Sequence, residues 1–151
     1  MITIIAIGKK HESWIEPGLE RYEKRLKQPW NVQWVLLPHS AMAGSTARQE
    51  ESERIEKRLR YDTFVILLDE RGKRFDSPTF SALIESTQTY GKKPVIVIGG
   101  AYGVTQELQQ RADIVVSFSD MVFPHQLVRL LLVEQLYRAQ SIAAGSKYHH
   151  E

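Results

Sequence analysis

Apolar residues along this chain come in short, nearly continuous runs, separated by longer stretches where they recur every three or four positions. The first run, Ile2 to Ile7, is rich in β-branched residues and stops at Gly8, which predicts a strand. Trp14, Ile15, Leu19, Tyr22 and Leu26 follow at helical spacing and predict a helix from Trp14 to Gln28, stopped by Pro29. Val32 to Leu37 predicts a second strand, ended by Pro38, and His39 to Ser45 a loop. Thr46 to Tyr61 is dense in charge, with few apolar positions beyond Ile55 and Leu59. It predicts an exposed helix laced by pairs such as Glu50–Arg54 and Glu53–Lys57. Thr63 to Leu68 predicts a third strand, ended by Asp69-Glu70-Arg71-Gly72. Ser77 as cap and Pro78 in the first helical position open a helix that Gly91 closes after Tyr90. Val95 to Ile98 predicts the fourth strand, Thr105 caps a helix reaching Ala112, and Ile114 to Phe118 predicts the fifth strand. Pro124 starts a final helix that runs to Ala144, with Gly145 ending it.

Strands and helices alternate throughout, and three of the strands are apolar almost without interruption. This predicts an α/β fold: one domain over residues 1–151, with a mainly parallel, five-stranded sheet and helices on both faces. In such sheets ligands bind at the carboxyl ends of the strands. Here the fourth strand ends in Gly99-Gly100, where the missing Cβ lets backbone approach a ligand closely. The loop has no Gly-Lys-Ser/Thr for a nucleoside triphosphate and does not fit G-x-G-x-x-G. A glycine crevice without a phosphate lysine suits a nucleoside-like cofactor held mainly by backbone polar groups. The last helix carries apolar side chains on more than one face: Leu127, Val128, Leu130, Leu131, Leu132, Val133, Leu136 and Ile142. A helix lying on a sheet needs only one apolar stripe, so the surplus predicts a homodimer interface.

The chain has 151 residues, 42% hydrophobic and 25% charged, as expected for a single globular domain. It has no cysteine, which excludes disulfides, thiolate metal sites and cysteine nucleophiles. The five histidines show no H-x-x-x-H spacing, so no metal centre is expected. No run reaches the length of a membrane span and the N-terminus lacks secretory features, so a cytoplasmic protein is expected. The net charge of +2 is compatible with a nucleic-acid partner without requiring one.

Several segments together resemble a known family. They are Ile2 to Lys9, Leu68-Asp69-Glu70-x-Gly72-Lys73, Ile98-Gly99-Gly100-x-x-Gly103, the stretch from Ser117 through Pro124-His125-Gln126, Arg129, Glu134-Gln135-x-Tyr137-Arg138-Ala139, and the tail pair Tyr148-His149. In order and spacing the set resembles the RlmH family, small SPOUT-class methyltransferases of the large ribosomal subunit. The resemblance implies a SPOUT-type fold with a C-terminal trefoil knot, a homodimer, and S-adenosyl-L-methionine as cofactor. The implied reaction is methylation of N3 of a pseudouridine in 23S rRNA on the assembled ribosome. It also implies that Leu68, Gly99, Gly100 and the segment Phe118, Ser119, Asp120, Met121, Val122 and Phe123 hold the cofactor. Taken singly, Gly99-Gly100 reads equally as a tight turn, and Leu68, Met121 and Phe123 as core.

A uracil-type N3–H is weakly acidic, so the enzyme must position the base and take or relay one proton. The residues carried over for this are Arg138, Tyr148 and His149. Arg138 has two readings, a phosphate or ring-anion contact or a salt bridge with Glu134. His149 is the expected proton relay, because imidazoles titrate near neutrality. His125 is expected to be a structural hydrogen-bonding residue. Lys9, Lys10 and Arg129 are expected RNA contacts, with Arg21, Arg25, Lys73 and Arg74 as further phosphate contacts. One departure stands out: the family usually has a lysine or arginine after the Tyr-His pair, whereas this chain has His150 and then Glu151. A non-catalytic ribosome- or RNA-binding module with the same fold is the alternative. A flavodoxin-like protein is disfavoured, because the loop after the first strand, Gly8-Lys9-Lys10-His11-Glu12, holds only one glycine.

Overall fold

The computed structural model describes residues 1–150; Glu151, part of the tail departure, lies outside the described residues. The elements run β1 (Ile2–Ile7), α1 (Glu16–Glu23), β2 (Val32–Leu37), α2 (Gly44–Glu56), β3 (Thr63–Arg74), α3 (Ser77–Thr89), β4 (Lys93–Ile98), α4 (Gln106–Arg111), β5 (Ile114–Ser117) and α5 (His125–Ala143). The strands form one sheet in the order β2-β1-β4-β3-β5, and every pairing is parallel.

Residue parity divides the core. Ile2, Ile4 and Ala6 of β1 pack with Leu19 of α1, Phe80 and Ile84 of α3, and Leu132, Val133 and Leu136 of α5. Ile5 and Ile7 pack on the opposite face with Ile55 of α2 and Leu108 of α4. Successive side chains of a strand point to opposite faces, so strands apolar at every position must be covered on both sides. The expected two-sided parallel sheet is therefore present.

The elements differ from expectation in local ways. Helix α1 covers only Glu16–Glu23: Pro17 sits in its first turn, and its end tightens through bonds from Arg25 N to Tyr22 O and Leu26 N to Glu23 O. Helix α3 is capped by Asp76 rather than Ser77. The Asp76 carboxylate accepts from Thr79 N at 2.8 Å, while the Ser77 hydroxyl donates to Gln135 at 2.7 Å. Helix α2 is not simply exposed, since Ala47, Glu51, Ser52 and Ile55 are buried along one face. Strand β3 does not end at Leu68. It breaks register there and resumes, Leu68 and Lys73 both pairing with Val116, so that residues 69–72 bulge out of the ladder. Gly72 permits the return: a Cβ there would lie 2.7 Å from the backbone carbonyl of Val115. On α5, Leu127, Val128, Leu130, Leu131 and Ile142 stay only half-buried. No described helix is long and apolar enough to cross a membrane.

Candidate active site at the carboxyl ends of the strands

Because the sheet is all parallel, the ends of β1, β3, β4 and β5 open on one edge. There the β3 bulge, the loop after β4 and the loop after β5 enclose a cavity of about 460 Å³. Its walls include Leu68, Gly99, Gly100, Phe118, Ser119, Met121, Val122 and Phe123, which are the expected cofactor positions except one. The exception is Asp120, whose carboxylate faces outward and pairs with Arg74 at 3.1 Å. Hydroxyls shape this last loop. Ser117 Oγ donates to Ser119 O at 2.8 Å, and Met121 N donates to Ser119 Oγ at 3.0 Å. The turn leaves Met121 and Val122 about three-quarters exposed at the mouth (74% and 76%), apolar surface with no covering in the single chain.

Sequence reasoning missed part of the wall. Asp69, Glu70 and Arg71 of the bulge line it, as do Arg48 of α2, Tyr102 and His125. Arg71 binds Asp69 through two nitrogens at 3.0 and 2.9 Å, and these hydrogen bonds hold the Asp69 carboxyl below its usual range. Arg48 Nε donates to Tyr102 O at 2.9 Å, pinning the glycine loop. His125, expected to be a structural hydrogen-bonding residue, stands on the cavity wall; burial first, and then the charge of Arg129, push its pKa down. The Leu-Asp-Glu-x-Gly motif signalled the bulge residues, but no sequence pattern signalled Arg48.

The tail residues form a separate cluster. Glu134 Oε1 accepts from Arg138 Nη2 at 2.6 Å and from the Tyr148 hydroxyl at 3.2 Å. The Arg138 guanidinium stacks 4.8 Å from the Tyr148 ring, and its Nη1 lies 3.1 Å from His149 Nδ1. Of the two readings of Arg138, the Glu134 salt bridge is formed, and Nη1 still reaches His149. Burial, reinforced by Tyr22 and Glu134, pushes the Tyr148 hydroxyl up to about 12. None of these three tail residues lines the first cavity. His149 instead lines a second one of about 670 Å³, with Phe75, Ser77, Leu131 and Gln135, and the two cavities share Phe118 and Phe123 as a wall.

Lys9 and Lys10 are exposed beside Gly8, at the same edge of the sheet as the cavities. Arg129 corrects an expectation. It is fully buried and donates to the carbonyls of Ile7 at 2.9 Å, Gly8 at 3.2 Å and Lys10 at 3.0 Å. A guanidinium spent on three main-chain carbonyls inside the protein reaches no phosphate. It holds the loop that carries Lys9 and Lys10.

A two-sided parallel sheet with a cavity of small-molecule size between three carboxyl-end loops defines an α/β protein with its candidate site at that edge. The family model described as "Predicted SPOUT methyltransferase" matches residues 1–149, and the chain belongs to that family. The chain is similar to proteins named "Ribosomal RNA large subunit methyltransferase H". It is 39% identical to that of Acetivibrio thermocellus, over 98% of this chain and 98% of the relative. It is 39% identical to that of Pelotomaculum thermopropionicum, over 99% and 98%, and 36% identical to that of Streptococcus mutans, over 98% and 98%. The protein is therefore a methyltransferase, as expected, and the alternative of a non-catalytic RNA-binding module is set aside.

Proposed function

We propose that this enzyme uses S-adenosyl-L-methionine to methylate N3 of a pseudouridine in 23S rRNA, acting in the cytoplasm on the assembled ribosome as a homodimer. The observation that carries this reading is the first cavity, with Leu68, Gly99, Gly100 and the loop from Phe118 to Phe123 converging on one space. Its volume falls within the usual range for small-molecule sites, roughly 300–1,000 Å³. Leu68, Phe118, Phe123 and Val128 offer flat apolar contact for an adenine, and the glycine loop offers main-chain polar groups. Asp69 and Glu70 place carboxylates on the wall for the hydroxyls and cationic groups of the cofactor. The bound donor supplies an electrophilic methyl group on a positively charged sulfur.

The remaining work falls to the chain. The shared wall of Phe118 and Phe123 sets the second cavity beside the first, so a base lifted from its stack enters next to the methyl donor. Near neutral pH Tyr148 keeps its proton and Arg138 its charge. His149 is the tail group assigned to relay the proton from N3. Arg138 Nη1 can only donate to His149 Nδ1, so a neutral ring held this way carries its hydrogen on Nε2; it takes up the N3 proton at Nδ1 once that hydrogen bond opens, and the freed guanidinium offsets the negative charge that develops on the base. The half-buried leucines of α5 supply the dimer contact. The trefoil knot belongs to the same reading.

The test is calorimetric titration with S-adenosylhomocysteine, followed by a methyl-transfer assay on whole ribosomes and isolated subunits, with the product nucleotide identified by mass spectrometry. Micromolar binding and an N3-methylated pseudouridine from whole ribosomes are expected. Absence of cofactor binding removes the reading.

A further inference from the structure

Helix α2 meets the glycine loop between β4 and α4 at three neighbouring points. Arg48 donates to Tyr102 O, Ser52 Oγ accepts from Thr105 N at 3.0 Å, and Glu51 presses against Gly100. Glu51 is only 3% exposed. Its Oε2 accepts from Ser40 N at 3.0 Å and lies 3.8 Å from His39 Nδ1. Its Oε1 is buried without a hydrogen-bond partner, at the place a Cβ on Gly100 would fill. A buried carboxylate oxygen left in this way is costly, and a positive charge brought close to it is favoured. Arg48 and Arg129 donate to main-chain carbonyls, Arg71 to Asp69, and His39 faces the other carboxylate oxygen, so none of them hydrogen-bonds Oε1. Gly100 itself lines the first cavity, so the carboxylate packed against that residue is a direct neighbour of the cavity wall. The field of Glu51 also reaches His125 on the cavity wall, opposing the burial and the Arg129 charge that lower that pKa.

We infer that Glu51 is a specificity-determining residue of the cofactor cavity: its buried, unpartnered oxygen behind Gly100 supplies the negative field that favours the sulfonium-bearing methyl donor over the neutral thioether product. The inference rests on the proposed reading of that cavity. S-adenosylmethionine and S-adenosylhomocysteine share their nucleoside, ammonium and carboxylate. They differ by one methyl group and the positive charge on sulfur. When the methyl passes to N3, sulfur keeps the bonding electron pair and that charge disappears. A fixed negative charge therefore tells donor from product where shape hardly can, and it eases product release.

The experiment compares the full-length wild type with E51Q and E51D, titrating S-adenosylmethionine and S-adenosylhomocysteine separately and following thermal melting. Glutamine is isosteric, and its carbonyl oxygen can still accept from Ser40 N. E51Q is expected to weaken donor binding about ten-fold while product binding stays within about two-fold. E51D keeps the charge and is expected to keep most of the wild-type preference; it decides the question if E51Q does not fold. Parallel loss of both ligands in E51Q, no change in either, or loss of the preference in a folded E51D overturns the inference. A wild type that binds neither ligand sinks the proposed function itself, a distinguishable failure that takes this inference with it.

Discussion

Arg129 heads the fully buried side chains by volume, and its position decides what the basic residues around it do. Its guanidinium joins the start of α5 to the loop after β1 through the carbonyls of Ile7, Gly8 and Lys10. Burial lowers its pKa, yet from so high a starting value that the charge persists. Lysine carries a single nitrogen and cannot reproduce three divergent bonds. R129K is therefore expected to lose about 2–3 kcal/mol of stability in denaturant unfolding, with the carbonyls left short of donors. Charge reversal at exposed Lys9 and Lys10 is expected to do the opposite: stability and cofactor affinity unchanged, ribosome binding weaker and less dependent on salt. If R129K unfolds like the wild type and loses only ribosome binding, Arg129 is an RNA contact after all.

At the scale of elements, the strand runs and helix spacings made the order of the fold readable, because two-sided burial demands near-continuous apolar strands. The loops that line the first cavity were readable from Gly99-Gly100 and from the segment after β5, where residue type and close backbone approach coincide. Three features were not readable. The buried face of α2 includes Glu51 and Ser52, polar residues whose burial depends on partners in a loop some fifty residues away. Arg129 looked like any other exposed cation, because nothing local marks the carbonyls it would meet. The return of β3 after its bulge depends on pairing with β5, a distant segment. That return is a testable hinge of the site. A Cβ at position 72 would meet the Val115 backbone, which cannot move aside as a flexible side chain would. G72A is expected to cost on the order of 1–3 kcal/mol and to weaken binding of S-adenosylhomocysteine, since Asp69, Glu70 and Arg71 ride on the bulge. Melting and titration curves that match the wild type would show that the bulge does not shape the cavity.

For the whole molecule, the separation of the tail cluster from the first cavity is the most consequential feature. Arg138, Tyr148 and His149 are organised by Glu134, yet none of them lines the cavity in the single chain. Meanwhile apolar surface lies open at Met121, Val122 and along α5. Both features are accounted for if two copies pack through α5 and each tail completes the site of the other, since a two-fold contact presents the same surface from both partners. Sedimentation at micromolar concentration is then expected to show a dimer. Complementation tests the shared site. S119W places an indole in the cavity and blocks it, while H149A removes the proposed proton relay. Each variant alone is expected to be inactive. When the two exchange subunits at equal amounts, half of the dimers carry one intact cavity facing one intact tail, and activity should return to about a quarter of the wild type. A site contained within one chain predicts no recovery, because every cavity would then meet either its own missing histidine or its own indole. A monomer in sedimentation, or confirmed subunit exchange without recovered activity, would place the tail's chemistry beside its own cavity and require the last residues to move there on binding.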